Sequence, residues 1–326
     1  MRFALMIEAQ QGLSYEDQLA IVRRAEAAGF EAFFRSDHYT SFPGPAGHPT
    51  TDAWAVLAGL ARETSRITLG ALVSPVTFRQ LGNFVKLVTT VDHMAGGRLE
   101  VAVGAGWNED EHAEYGLPFP PIGVRADMLE EQLALLHGLW TGPDGWTFDG
   151  RHVKVRGGRL YPRPVDLPGR PRAANGMVRP RVITGGEGTP RGLRIAARWA
   201  DEFNLSSSSP ERAREKYAEL AAACQAIGRE PGTLTRSAMV PAILGVDADE
   251  VAARERDLIV ALGQEETASE WFEKRRHRWI LGQPEEARAM IRRYADAGVE
   301  RIMLQSFLPR DLDMIDLMAA ELINRV

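Results

Sequence analysis

One cysteine, Cys224, stands in a chain of 326 residues, which excludes a disulfide framework and a cysteine-rich zinc site and fits a reducing compartment. No stretch of 18 apolar residues occurs, and the N-terminal MRFALMIEAQ lacks the apolar segment and small-residue cleavage site of a secretory leader. There is no excess of basic charge either: 39 Lys and Arg against 44 Asp and Glu give a net charge of −5, which excludes affinity built on neutralising nucleic-acid phosphates. No His, Asp or Glu spacing stands out as a metal site. These shortages predict a soluble, cytoplasmic protein that takes a small-molecule substrate and neither nucleic acid nor a membrane as partner.

What is present is a hydrophobic content of 44%, enough for a large core, arranged as short β-rich runs alternating with longer helical patterns. Strands are expected at 3–9, 31–36, 66–73, 98–104, 181–186, 202–206, within 234–245, and at 300–307. Helices are expected at 14–28, 51–63, 78–94, 124–140, after Pro190, and at 211–227, 284–297 and 311–323. Ser14 with Asp17 reads as a capped start of the first helix and Gly29 as its stop. A segment rich in glycine, proline and arginine at 141–180 reads as an excursion with a small hairpin, and 247–283 as a helical insertion. Eight strand-then-helix units predict one (β/α)8 TIM barrel over 1–326 with insertions after the fourth and seventh strands. A doubly wound sheet rarely uses eight.

In such a barrel the chemistry gathers at the C-terminal strand ends, which nominates Glu8, Ser36-Asp37-His38, Ser74, Gly106-Trp107, Gly185-Gly186, Asn204 and Gln305. His38 beside Asp37 is an imidazole suited to acid or base work, or a polar residue of a capped loop. Thr184-Gly185-Gly186-Glu187-Gly188 between a strand and a helix offers backbone N–H groups to an anion, or makes a tight turn. It is neither a Walker A loop nor a GxGxxG fingerprint, because no Lys-Ser/Thr follows and Arg191 stands where the last glycine belongs. Gly106 and Trp107 suggest close backbone approach and an aromatic wall for a planar ligand, or a seal on the barrel top. The basic run Lys274-Arg275-Arg276-His277-Arg278 reads as a solvated helix face, with contact to an acidic ligand as the alternative. Cys224 in its alanine-rich helix reads as a buried small hydrophobe.

Ser36-Asp37-His38-Tyr39, Pro75-Val76-Thr77-Phe78-Arg79, Gly104-Ala105-Gly106-Trp107, Ile183 to Gly188 and Ala200 to Asn204 together resemble the bacterial luciferase-like oxidoreductases over nearly the whole chain. The Asp-His pair is more similar to the branch that uses the deazaflavin coenzyme F420 than to the FMN monooxygenases. The resemblance implies hydride transfer between F420 and a small organic substrate with a C=C, C=N or C=O bond. An FMN-dependent monooxygenase and a flavin- or deazaflavin-binding barrel without turnover are the alternatives.

Among site residues, the resemblance implies His38 and Asp37 for catalysis. It implies His38, Leu72, Val73, Ser74, Gly106, Trp107, Gly185, Gly186, Glu187 and Gly188 against the cofactor, with its phosphate on 185–188. It also implies a non-prolyl cis bond at Leu72-Val73 behind the ring, and a homodimer. The sugar-phosphate dehydrogenases of that branch place a Glu where Trp107 stands, so glucose 6-phosphate is a poor substrate expectation.

Overall fold

The computed structural model describes every residue except 324 and 326. In chain order the first half runs β1 (Arg2–Ile7), α1 (Tyr15–Ala28), β2 (Ala32–Arg35), α2 (Ala53–Glu63), β3 (Thr68–Ala71), β4 (Ser74–Pro75), α3 (Leu81–Met94), β5 (Glu100–Gly104), α4 (Glu109–Glu114) and α5 (Ile122–Thr141). A hairpin of β6 (Trp146–Asp149) and β7 (Lys154–Gly158) follows. Then come β8 (Arg181–Gly186), α6 (Pro190–Trp199), β9 (Glu202–Ser206), α7 (Pro210–Gln225), β10 (Thr235–Leu244), α8 (Ala248–Ala261), α9 (Ala268–Glu273), β11 (Ile280–Gly282), α10 (Pro284–Asp296), β12 (Arg301–Ser306) and α11 (Leu312–Leu322).

Local chemistry sets several of these boundaries. Ser14 Oγ accepts from the Asp17 N–H at 3.1 Å while Asp17 accepts from the Ser14 N–H at 2.9 Å, and Gly29 at φ 97° ends α1, as its sequence predicts. Helix α2 starts after Asp52, whose carboxylate accepts from the Trp54 and Ala55 N–H groups. Helix α3 begins three residues later than the periodicity predicts, because Gln80 caps it through the Asn83 N–H while Phe78 stacks on Tyr39 instead.

The sheet runs β3-β2-β1-β12-β10-β9-β8-β5, every pairing parallel, and a parallel bridge between Leu69 and Leu99 joins the two ends. Eight strands therefore close on themselves, and the chain is the expected α/β barrel. Alternate residues face in and out. Ala4, Met6, Ala32, Phe34, Leu72, Ala102, Ile183 and Met303 fill the interior, while Phe3, Leu5, Phe33, Val101, Val182 and Leu304 lie under the helices. Small interior residues admit the large ones: a Cβ on Gly70 would lie 2.6 Å from the Phe34 ring.

Two elements were not legible in the sequence. Within 247–283 the strand β11 pairs with the far end of β10, and α4 forms a single short helix directly after Trp107. The hairpin expected in 141–180 is β6 with β7. Cys224 is buried on α7. No helix among the described residues is long and apolar enough to cross a membrane.

Candidate active site at the C-terminal end of the barrel

His38 lies just beyond β2, 15% exposed, and its Nδ1 is 2.9 and 3.1 Å from the two carboxylate oxygens of Glu111 on α4. An ionised carboxylate can only accept, so the proton of this hydrogen bond sits on Nδ1. Nε2, across the ring, has no protein partner among the described residues. Phe42 and Trp107 meet the imidazole edge-on, with centroids at 4.4 and 5.8 Å, and Trp107 is 66% exposed. The imidazole thus stands in an aromatic corner at the barrel mouth, anchored on one nitrogen and free on the other.

Asp37, expected to act with His38, does not touch it. Both of its oxygens accept from the Arg79 guanidinium, at 2.7 and 3.1 Å, and Oδ2 also accepts from Ser74 Oγ at 2.8 Å. The Ser74 hydroxyl in turn accepts from Trp54 Nε1 at 2.8 Å, so Ser74, expected against the cofactor, has its side chain committed to the frame. Arg79 also donates to Asp52 at 2.5 Å, and Tyr39 donates its hydroxyl to the same carboxylate. Burial alone would raise Asp52, but Arg79 and the Ala55 N–H hold it below the usual carboxylate range. Burial likewise pushes the Tyr39 phenol up, which keeps its proton in place for the hydrogen bond to Asp52. Asp37, Ser74 and Arg79 are a fully paired buttress that fixes the loop carrying His38.

Val73 packs closely at the strand ends of the mouth. Leu72-Val73 is a cis peptide bond, as the resemblance implies, and Val73 sits against two glycines. A Cβ on Gly104 would lie 2.6 Å from Val73 Cγ2, and one on Gly185 3.0 Å from Val73 Cγ1. Gly106, at φ 80°, brings the chain past Thr77 and leads into Trp107. Glu8 and Gln305, also nominated, are paired there: both the Gln305 and Gln10 side-chain amides donate to the Glu8 carboxylate. Asn204 points into the barrel and donates to Ser237 Oγ at 3.0 Å.

A cavity of about 500 Å³ opens beside the 185–188 loop, lined among others by Gly188, Ser207, Ser208, Arg212, Lys216 and Arg278. It lies between the N-termini of α6 and α7, which carry the positive ends of two helix dipoles. Gly188 is favoured by its backbone: it lies at φ 74°, in the left-handed region, beside the Lys216 side chain. Arg278 Nε is buried with no partner among the described residues. Arg212 and Lys216 pair with Glu215 and Glu219, and the Glu187 side chain is exposed at the rim. Of the basic run 274–278, expected as a solvated face, Arg278 therefore turns into the cavity.

The structure thus brings together His38, Trp107, Val73, Gly104 and Gly185 around the mouth and adds Glu111, Phe42 and Arg278. No group of three or more His, Cys, Asp or Glu among the described residues could hold a metal ion. A family model for the luciferase-like monooxygenases matches residues 1–304. The chain belongs to this family. Among relatives of this luciferase-like protein, an uncharacterized protein of Mycobacterium tuberculosis is 33% identical over 198 residues, 56% of this chain and 64% of that relative, so the chain matches just under two thirds of its length. An F420-dependent glucose-6-phosphate dehydrogenase of Intrasporangium calvum is 28% identical over 299 residues, covering 87% of this chain and 86% of the relative. Among solved structures, an F420-dependent secondary alcohol dehydrogenase in complex with an F420-acetone adduct has a TM-score of 0.79 at 20% identity, covering 98% and 97% of the two chains. A monooxygenase from Streptomyces bottropensis has a TM-score of 0.81 at 20% identity, covering 99% of each. At that identity both support the barrel fold alone.

Proposed function

We propose that this chain is an oxidoreductase that moves a hydride between coenzyme F420 and a small organic substrate bearing a polarised C=O, C=C or C=N bond. The observation that carries the reading is one juxtaposition. At the same end of the barrel stand an imidazole with a free Nε2 and an anion cavity that holds an unpartnered arginine Nε between two helix N-termini. The residues fit a phosphorylated, planar cofactor: the N–H groups of 185–188 and Arg278 would hold the phosphate, and Val73, packed on Gly104 and Gly185, would lie behind the ring. Trp107 would wall the substrate side. When bound, F420 supplies a carbon that takes or gives a hydride. His38 holds the proton that balances it, taking it at Nε2 from a substrate hydroxyl in oxidation and returning it in reduction. The names of the F420-dependent relatives support the cofactor. An FMN-dependent monooxygenase is the second reading, since the family model that matches is that of the luciferase-like monooxygenases.

Titration with F420 and with FMN separates them, F420 binding the tighter. Single-turnover oxidation of reduced F420 by an acceptor found in a screen of enones, imines and ketones then tests His38. His38→Ala slows it by roughly 10²–10⁴-fold, the usual contribution of a proton-transferring group, while F420 affinity falls much less. Equal rates remove His38 from the chemistry, and preference for FMN removes F420.

A further inference from the structure

We propose that Glu111 is a positioning residue that sets the tautomer of His38 and, through it, the side of the imidazole that meets the substrate. This rests on the reading of His38 as the proton-handling group. A solvated neutral histidine side chain prefers its proton on Nε2, the nitrogen far from the backbone, which would turn a donor toward the substrate and leave no acceptor there. Glu111 reverses that preference. It is 1% exposed, it reaches Nδ1 with both oxygens, and its Oε2 also accepts from the Tyr39 N–H at 3.1 Å. One carboxylate therefore holds both the ring of His38 and the backbone just after it, and the lone pair is left on Nε2.

The carboxylate is placed before His38 contributes anything. On α4 the neighbouring His112 is anchored separately, with Nδ1 2.5 Å from the Asn108 carbonyl and Nε2 2.7 Å from Thr77 Oγ1. Tyr115 adds a hydrogen bond from its hydroxyl to the Tyr39 carbonyl at 3.2 Å. The helix thus stays docked when the Glu111 side chain is changed. The expected partner, Asp37, is unavailable because Arg79 and Ser74 occupy it. Glu111 does not face the reacting atoms. It acts from behind the ring, as outer partners of catalytic or metal-bound histidines do.

The test is the ring-nitrogen spectrum of 15N-histidine-labelled protein without ligand, at a pH where His38 is neutral, with His38→Gln assigning its signals among the 7 histidines. Wild type shows a protonated Nδ1 and a bare Nε2. Glu111→Gln, which keeps an acceptor oxygen, retains that pattern, and Glu111→Ala moves the proton to Nε2. In single-turnover hydride transfer Glu111→Ala loses about 10–100-fold, the usual cost of removing such a partner, with F420 affinity within about threefold, and Glu111→Gln recovers most of the loss. Wild type already protonated on Nε2, or Glu111→Ala unchanged in tautomer, overturns the proposal. So does a Glu111→Ala rate equal to wild type. If the protein binds no F420, the functional reading fails while the spectra still decide the role of Glu111.

Discussion

The two ends of the barrel treat charge in opposite ways. At the N-terminal end Arg301, 1% exposed, sits 2.7 Å from Glu100, 3.1 Å from Glu202 and 2.6 Å from Glu31, with Arg181 close to the first two. Burial would depress the arginine, but these three carboxylates hold its proton firmly. Burial also pushes Glu202 up, and Glu100 beside it adds to that while Arg301 opposes. Every charge there faces another charge of the protein. Arg301 Nε and Glu31 Oε1 lack hydrogen-bond geometry but face each other as an ion pair at 2.6 Å, whereas at the C-terminal end Arg278 Nε, Gln305 Oε1 and Thr184 Oγ1 are buried with no partner among the described residues. Unpaired buried polar groups cost free energy, so an end that keeps them is built to receive something else, while the paired end is built to hold.

The contrast is sharpest where breaking a pair should hurt folding and nothing else. Arg301→Met leaves Glu100 and Glu202 with only the more distant Arg181 as a cation, and chemical denaturation should show a loss of about 3–5 kcal/mol. A smaller effect comes with acid. His137, on α5, donates to the Trp199 carbonyl next to the Arg179–Asp201 pair below β9, and burial and Arg179 push it down to about 4 from 6.5. The unfolded chain takes up that proton near pH 6.5 and the folded chain only near 4. Stability is therefore lost as pH falls through that window, by about 2–3 kcal/mol. His137→Gln keeps the hydrogen bond without the titration and should flatten the stability curve measured between those two pH values.

Changes at the mouth should read out the other way. Gly186 lies at φ 150° with no heavy atom within 4 Å of a Cβ, so Gly186→Val strains the loop without a clash. It should cost about 1 kcal/mol of stability, and F420 titration should show binding weakened by about tenfold.

Much of this frame is legible because it is local. Ser14 with Asp17 and Gly29 mark the ends of the first helix within a few residues, and strand-helix alternation counts the barrel. The glycines of 185–188 are legible for the same reason, since a backbone that must pass close to something needs them wherever it lies. Glu111 is not, because it reaches His38 across 73 residues from a helix of six that carries no periodicity. Asp37, expected to orient the imidazole or the local backbone, braces the backbone only, and adjacency to His38 in sequence says nothing of Arg79, which arrives from 42 residues on and takes both oxygens. Arg278 is hidden in a basic run whose neighbours pair elsewhere, Lys274 with Glu266 and Arg276 with Glu255.

Charge at one end of the barrel holds the fold and at the other receives a ligand, and thermal unfolding with and without F420 tests this in one experiment. A ligand at one hundred times its Kd stabilises the folded state by about 2.7 kcal/mol. Arg301→Met should start from a lower melting temperature and keep the full F420-induced rise, whereas Arg278→Met should melt with wild type and lose most of the rise. If Arg278→Met keeps the rise, or Arg301→Met loses it, the division between a holding end and a receiving end is wrong.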